Sequence, residues 1–322
     1  MLSFQRILRG VGMLAIIATS KGAFATPKVR VVMTVDWEGR ELLAKNLDAM
    51  RSLRADYPDL PILHYLNAAY FTKPDADPVK TRELIQSVLL PIDQRGLHIH
   101  AWKTLITGAG VAFRRSPGLA TGDQPLSDAE CQYDCGHAVP ISAYTSSEMA
   151  KVVRFSQSIL AQQGFGKPIY FRSGAWMLSQ DVAEALTANG IISDSSAVPG
   201  SFLQPAWGAY PLYQRVMALW PNINSESQPF VISTQSGPLL EVPDNGCLAD
   251  YMTAEQMLQV VHDNLVNAQS DGKIRTVVIG FHQETAMTYL PHIRGLLEGV
   301  AKLSAEGADI EFVAMPAFLT PS

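Results

Sequence analysis

The chain is poor in charge and in cysteine. Only 17% of its 322 residues are Asp, Glu, Lys or Arg, and the net charge is −5. No lysine or arginine stripe breaks that balance, which argues against nucleic acid as a partner. No low-complexity run occurs, so nothing marks a segment too polar to fold. Past residue 25 no apolar run approaches the ~20 residues that a bilayer-spanning helix needs, so no stable membrane anchor is expected after the N-terminal segment. The cysteines are three, Cys131, Cys135 and Cys247, an odd count that leaves one thiol over. Cys131 and Cys135 share the stretch ECQYDCGH and are the easiest pair to close, although either could reach Cys247. A zinc knuckle using His137 is disfavoured, because an oxidising compartment turns such a pair into a disulfide.

What is present is a globular composition, 47% hydrophobic, long enough to bury a substantial core. Arg6 and Arg9 precede the apolar run 11–18, and Ala23-Phe-Ala25 supplies a small-x-small site. Residues 1–25 therefore read as a secretory signal peptide, and 26–322 as one domain working in the periplasm or outside the cell.

After Ala25, strand-like and helix-like segments alternate. Val29–Asp36, Pro61–Asn67, the run ending at His98, Pro168–Arg172, Ile191–Asp194, Leu239–Pro243, Arg275–His282 and Ile310–Ala314 are apolar enough for buried strands. Helices are expected near 79–90, after the Thr145-Ser-Ser-Glu148 capping box, from Ser179 to Asn189-Gly190, over 253–268 and from about His292 to Ala305. Such alternation implies a parallel sheet covered by helices, and about seven units fit the length of a barrel. Two irregular stretches, Leu105–Tyr144 and Pro199–Gln228, are long for a compact domain and are expected near the active end.

Polar side chains gather where strands end. His98 and His100 lie two apart, so in an extended chain both imidazoles face one side. Asp36 and Glu38 repeat that spacing at the end of the first strand. Arg172, Asp194, His282 and Glu284 end or follow later strands. In a parallel barrel these ends converge on one mouth.

Five short motifs, in order, carry a resemblance to the polysaccharide deacetylase family with NodB homology, carbohydrate esterase family 4. They are TVDWEG (34–39), HIHAW (98–102), RSGAW (172–176), DSS (194–196) and VIGFH (278–282). The resemblance spans about Val29 to Ala314 and implies a distorted (β/α)7-type barrel, NodB-like, in the α/β class. It also implies a metal-dependent hydrolase that removes N-acetyl or O-acetyl groups from an extracytoplasmic glycan. Two departures stand out. The family's adjacent Asp-Asp is here Asp36-Trp37-Glu38, and its second motif histidine falls at Trp102, leaving His100 as the replacement.

On that reading Glu38, His98 and His100 hold one divalent ion, with Zn2+ the first choice, and an open position remains for water. The same donors also suit non-haem iron. Asp36 is the general base, Arg172 pairs with it, His282 is the general acid, and Asp194 orients His282. Trp176 lines the sugar-binding wall. Glu284 and Lys103 fall close to the site, His137 has no assigned role, and Glu241 and Asp244 read as mouth or turn residues. Two other readings remain: a metal hydrolase of a small non-sugar amide, and a periplasmic glycan-binding protein without catalysis.

Overall fold

A computed structural model of the protein describes residues 29–316; the expected signal peptide lies outside them. In chain order the elements are β1 (Val29–Asp36), α1 (Ala44–Asp56), β2 (Ile62–Asn67), α2 (Pro78–Gln86), β3 (Gln94–Ile99), α3 (Lys103–Gly108) and α4 (Ser146–Gln162). Next come β4 (Tyr170–Ser173), α5 (Gln180–Ala188), β5 (Ser193–Asp194), α6 (Gly200–Trp207), α7 (Pro211–Leu219), β6 (Phe230–Thr234) and β7 (Gly237–Glu241). The chain continues through α8 (Ala254–Asp271), β8 (Arg275–His282), α9 (Ala286–Ala305) and β9 (Ile310–Phe312).

The strands form one sheet in the order β6-β7-β5-β4-β3-β2-β1-β8, with β9 paired to the first residues of β1. Every neighbouring pair is parallel except the β6–β7 hairpin. β1 to β5, β7 and β8 thus supply the seven parallel strands of a distorted (β/α)7-type barrel. The ring is completed without a further strand. Residues 245–249, which continue β7, lie along the free edge of β8. There the Gly246 amide donates to the Val278 carbonyl (2.9 Å), Gly280 to Cys247 (3.0 Å) and Ala249 to Gly280 (2.8 Å).

Alternation along the strands divides the core. Val31, Met33 and Val35 face the helices, whereas Val32 packs with Leu63, Tyr65, Val242 and Val278 in a smaller inner cluster. Thr34 and Asp36 share the parity of Val32, so β1 turns Asp36 toward the inside. The register then aligns the strand ends. Asp36 stands opposite Tyr65 and His282, and His98 opposite Asn67 and Arg172.

Several expectations need correction. The last helix begins at Ala286, six residues before His292. Pro291 is the sixth residue of that helix, which runs through it at the cost of one i→i−4 hydrogen bond. The stretch Pro199–Gln228 holds two short helices, α6 and α7, whose prolines Pro205 and Pro211 obscure the periodicity. α1 and β6 belong to the fold although no sequence signal marked them. The Cys131–Cys135 disulfide is formed, and Cys247 is free and buried.

Candidate metal centre and active site

Glu38 leaves the end of β1 and stands among four imidazoles. Its Oε1 lies 3.1 Å from His98 Nε2 and 3.5 Å from His282 Nε2. Its Oε2 lies 2.8 Å from His100 Nε2 and 2.6 Å from His137 Nε2. Burial alone would raise this carboxyl, but His100 and His282 hold it well below the usual carboxylate range.

The other ring nitrogens decide where the protons sit. His98 Nδ1 is 2.9 Å from the Arg172 carbonyl oxygen, and His100 Nδ1 is 2.8 Å from that of His137. A carbonyl only accepts, so in both rings Nδ1 carries the proton. As neutral metal ligands both rings would turn an Nε2 lone pair toward the Glu38 carboxylate, an arrangement suited to a cation between them. Nε2 of His100 is buried and meets Glu38 Oε2 at 2.8 Å without hydrogen-bond geometry. The donor set thus fits a divalent ion of the zinc type.

His137 is wired in the opposite sense. The Arg40 guanidinium, which can only donate, lies 3.0 Å from its Nδ1. Its Nε2 therefore carries the proton and donates to Glu38. Burial and the neighbouring His100 push His137 down to about 3, so the ring is neutral. It stacks on His100 with centroids 3.9 Å apart. One donor atom each from Glu38, His100 and His137 lies within 4.8 Å of the other two. Ligand spacing thus favours His137 as the third donor, and proton placement favours His98. Glu38 and His100 satisfy both criteria.

The backbone that carries Glu38 is held from three sides. Trp102 Nε1 donates to the Glu38 carbonyl (2.9 Å). The Glu38 amide donates to both oxygens of Glu284 (3.1 and 3.2 Å). Burial and the charge of Glu38 push Glu284 up to about 7. On the reverse face Trp37 Nε1 donates to His64 Nδ1 (3.2 Å), His64 Nε2 faces Asp93 (3.4 Å), and Asp93 pairs with Arg54 (2.8 Å). Trp37 therefore points into the core while Asp36 and Glu38 face the site, as strand alternation requires.

Arg172, fully buried on β4, joins the base candidate to the rest. Its guanidinium donates to Asp36 Oδ1 (3.2 Å), Thr34 Oγ1 (3.0 Å), and the Ser195 carbonyl (2.8 Å) and hydroxyl (2.9 Å). It also faces Asp244 Oδ1 at 3.3 Å. His282 ends β8 with Nδ1 3.1 Å from Asp250 Oδ1. Burial opposes its charge, but Asp250 and Glu38 outweigh burial and raise His282 to about 10. These groups open onto a cavity of about 500 Å³ walled by Leu119, Trp176, Trp207, Leu212 and Tyr251.

No protein-family model matches the sequence, and no curated protein does. Solved structures do. A protein from Mycobacterium smegmatis assigned as a polysaccharide deacetylase superposes with a TM-score of 0.51 at 11% identity, over 89% of this chain and 87% of that one. The chain has the polysaccharide deacetylase fold. A family 4 carbohydrate esterase from Streptomyces lividans, solved with acetate, gives 0.44 at 11% identity, over 91% and 95%. A family 4 pseudoenzyme from Bacillus anthracis gives 0.41 at 11% identity, over 89% and 64%.

Within this deacetylase fold the structure brings Asp36, Glu38, His98, His100, Arg172 and His282 to one end of the sheet, as expected, and corrects other placements. Asp194 does not orient His282. Its carboxylate accepts from the Ser196 amide and hydroxyl, both at 2.9 Å. It also faces Glu241, whose carboxyl burial and the Asp194 charge hold well above the usual range. β5 ends too far around the sheet, and Asp250, which directly follows the segment closing the barrel, takes that place. Glu241 and Asp244 are fully buried, and Asp244 opens a turn as expected, its carbonyl accepting from the Cys247 amide (3.1 Å). Asp244 accepts from Trp176 Nε1 (2.9 Å) and faces Arg172. Trp176 is 4% exposed, and its ring lines the cavity. Lys103 takes part through its backbone, donating to the Cys135 carbonyl (2.7 Å).

Proposed function

We propose that this protein is a metal-dependent, extracytoplasmic hydrolase that removes N-acetyl or O-acetyl groups from a glycan. One observation carries the reading: His98 and His100 are oriented by backbone carbonyls with their Nε2 atoms toward Glu38, beside Asp36 and His282. Glu38 and His100, with His98 or His137, would hold the ion. When bound, a divalent ion supplies a water of pKa about 7 and a Lewis acid for the acyl oxygen.

The chain's own groups do the rest. Asp36, hydrogen-bonded by Arg172 (3.2 Å), takes the proton from the attacking water. His282 presents Nε2–H to the leaving nitrogen or oxygen, while Nδ1–H stays anchored on Asp250. Trp176, Trp207 and Tyr251 offer aromatic faces to the apolar side of a sugar and keep bulk water out.

The cavity favours a second reading in which the substrate is a small amide. The Leu212 amide donates to the Leu119 carbonyl (2.8 Å), so the two long inserts meet on the cavity wall. A space of about 500 Å³ suits a molecule the size of a small ligand.

Acetate release and metal content, measured on wild type and Asp36→Asn with acetylated polymers, oligosaccharides and small amides, test both. The variant is expected to keep its metal and lose activity by at least ~100-fold. Turnover of small amides alone transfers the assignment to the second reading. Glycan binding without turnover or metal removes the hydrolase altogether.

A further inference from the structure

His137 comes to Glu38 from outside the sheet, two residues past the Cys131–Cys135 bond. The path between the bond and the ring is short and tightly held. The carbonyl of Cys135 accepts from the Lys103 amide (2.7 Å), and that of Ala138 from the Leu119 amide (2.7 Å). Asp134 accepts from the Thr104 amide (3.1 Å) and hydroxyl (2.8 Å). Between these anchors Gly136 adopts φ +97°, and a Cβ there would lie 2.1 Å from the Ala101 carbonyl oxygen. Only glycine turns the chain this way, and the turn sets the His137 ring flat on His100. The His137 carbonyl also fixes the proton on His100 Nδ1. One residue therefore offers a donor atom and presets a neighbouring ligand.

We propose that the Cys131–Cys135 cross-link assembles the ion site, with His137 as its third protein ligand; this rests on the metal-dependent reading above. Coordination through Nε2 needs the proton on Nδ1, which requires only that the exposed Arg40 side chain release that nitrogen. Without the cross-link the segment 128–135 keeps the Asp134–Thr104 and Lys103–Cys135 hydrogen bonds and the Arg115–Asp128 pair, but loses the one tie between Cys131 and Cys135, its buried apolar members. The ion would then bind tightly only after the bond has formed. An exported protein would thus acquire its metal where disulfides persist.

The test compares Zn2+ dissociation constants, by competition with a chromophoric chelator, for wild type, His137→Gln, Cys131→Ser/Cys135→Ser and the triple variant. Serines avoid the metal binding of free thiols. Melting temperature, measured with chelator, reports folding. His137→Gln and the double variant are each expected to weaken binding about tenfold or more. The triple variant should lose no more than either, because both changes remove one interaction. The absorption of the Co2+-loaded protein should change alike in all three. Affinity untouched by loss of the cross-link overturns the proposal and leaves the hydrolase reading standing. So does a loss in the triple variant equal to the product of the separate losses. Wild type that binds Zn2+ no better than Glu38→Gln overturns both. If the double variant melts too low, wild type reduced with a phosphine, its thiols counted by mass, supplies the same comparison.

Discussion

His282 shows how much a single proton depends on its neighbours. Its ring sits in a buried site that penalises charge, yet Asp250 at 3.1 Å and Glu38 at 3.5 Å raise it to about 10. As the leaving-group acid it must be protonated, so activity should fall as pH rises through its pKa. Removing the Asp250 charge withdraws support from the imidazolium and lowers that pKa. In Asp250→Asn the alkaline limb of the kcat profile should move to lower pH by about 1 to 3 units. The acid limb, set by other groups, should stay in place. An unmoved alkaline limb would remove His282 from the acid role. Asp250 itself was not legible in the sequence. No strand precedes it, and its position depends on residues 245–249 finding β8 across the barrel. His137 left a better trace, lying two residues from a cross-linkable cysteine in a chain with few histidines. The role of Trp102 was hidden, because its indole meets a backbone carbonyl and no side-chain pattern encodes that.

The turns after the strands matter as much as the strands. Gly174 follows β4, and a Cβ there would sit 2.7 Å from three atoms of the His100 ring. The next two residues, Ala175 and Trp176, take φ of +54° and +60°, which side chains rarely adopt. The turn thus lets one imidazole lie against bare backbone. Gly174→Ala should push His100 off its position and weaken Zn2+ binding about 10- to 100-fold. The melting temperature measured in chelator should change little by comparison, since the surrounding core keeps its packing. At this scale the buried strands were readable, because apolar β-branched runs such as 29–35 and 275–281 have few alternatives. α1 was not readable, because its charged and apolar residues do not form a clean stripe, and α6 and α7 were masked by proline. The two-residue spacings in Asp36-Trp-Glu38 and His98-Ile-His100 did report a common face correctly, as strand geometry demands.

Across the whole molecule, seven parallel strands carry their functional side chains to one end, and the deacetylase fold follows from the alternation of elements. The sequence could not show how the ring closes. Closure uses three backbone hydrogen bonds from an irregular segment that includes Cys247 at φ +59°. β1 and β8, by contrast, are in register over their full length, from Val29 opposite Arg275 to Asp36 opposite His282. Local opening is cheapest where few bonds must break together. In native-state hydrogen exchange the Gly246 and Ala249 amides should therefore lose their protons well before those of β1, at a free energy below that of global unfolding. Exchange at the global rate would mean that the join is as strong as the sheet. If the join does breathe, Asp250 travels with it. Each excursion uncouples the carboxylate from His282 and loosens the imidazole's hold on the proton poised for the leaving group until the gap shuts.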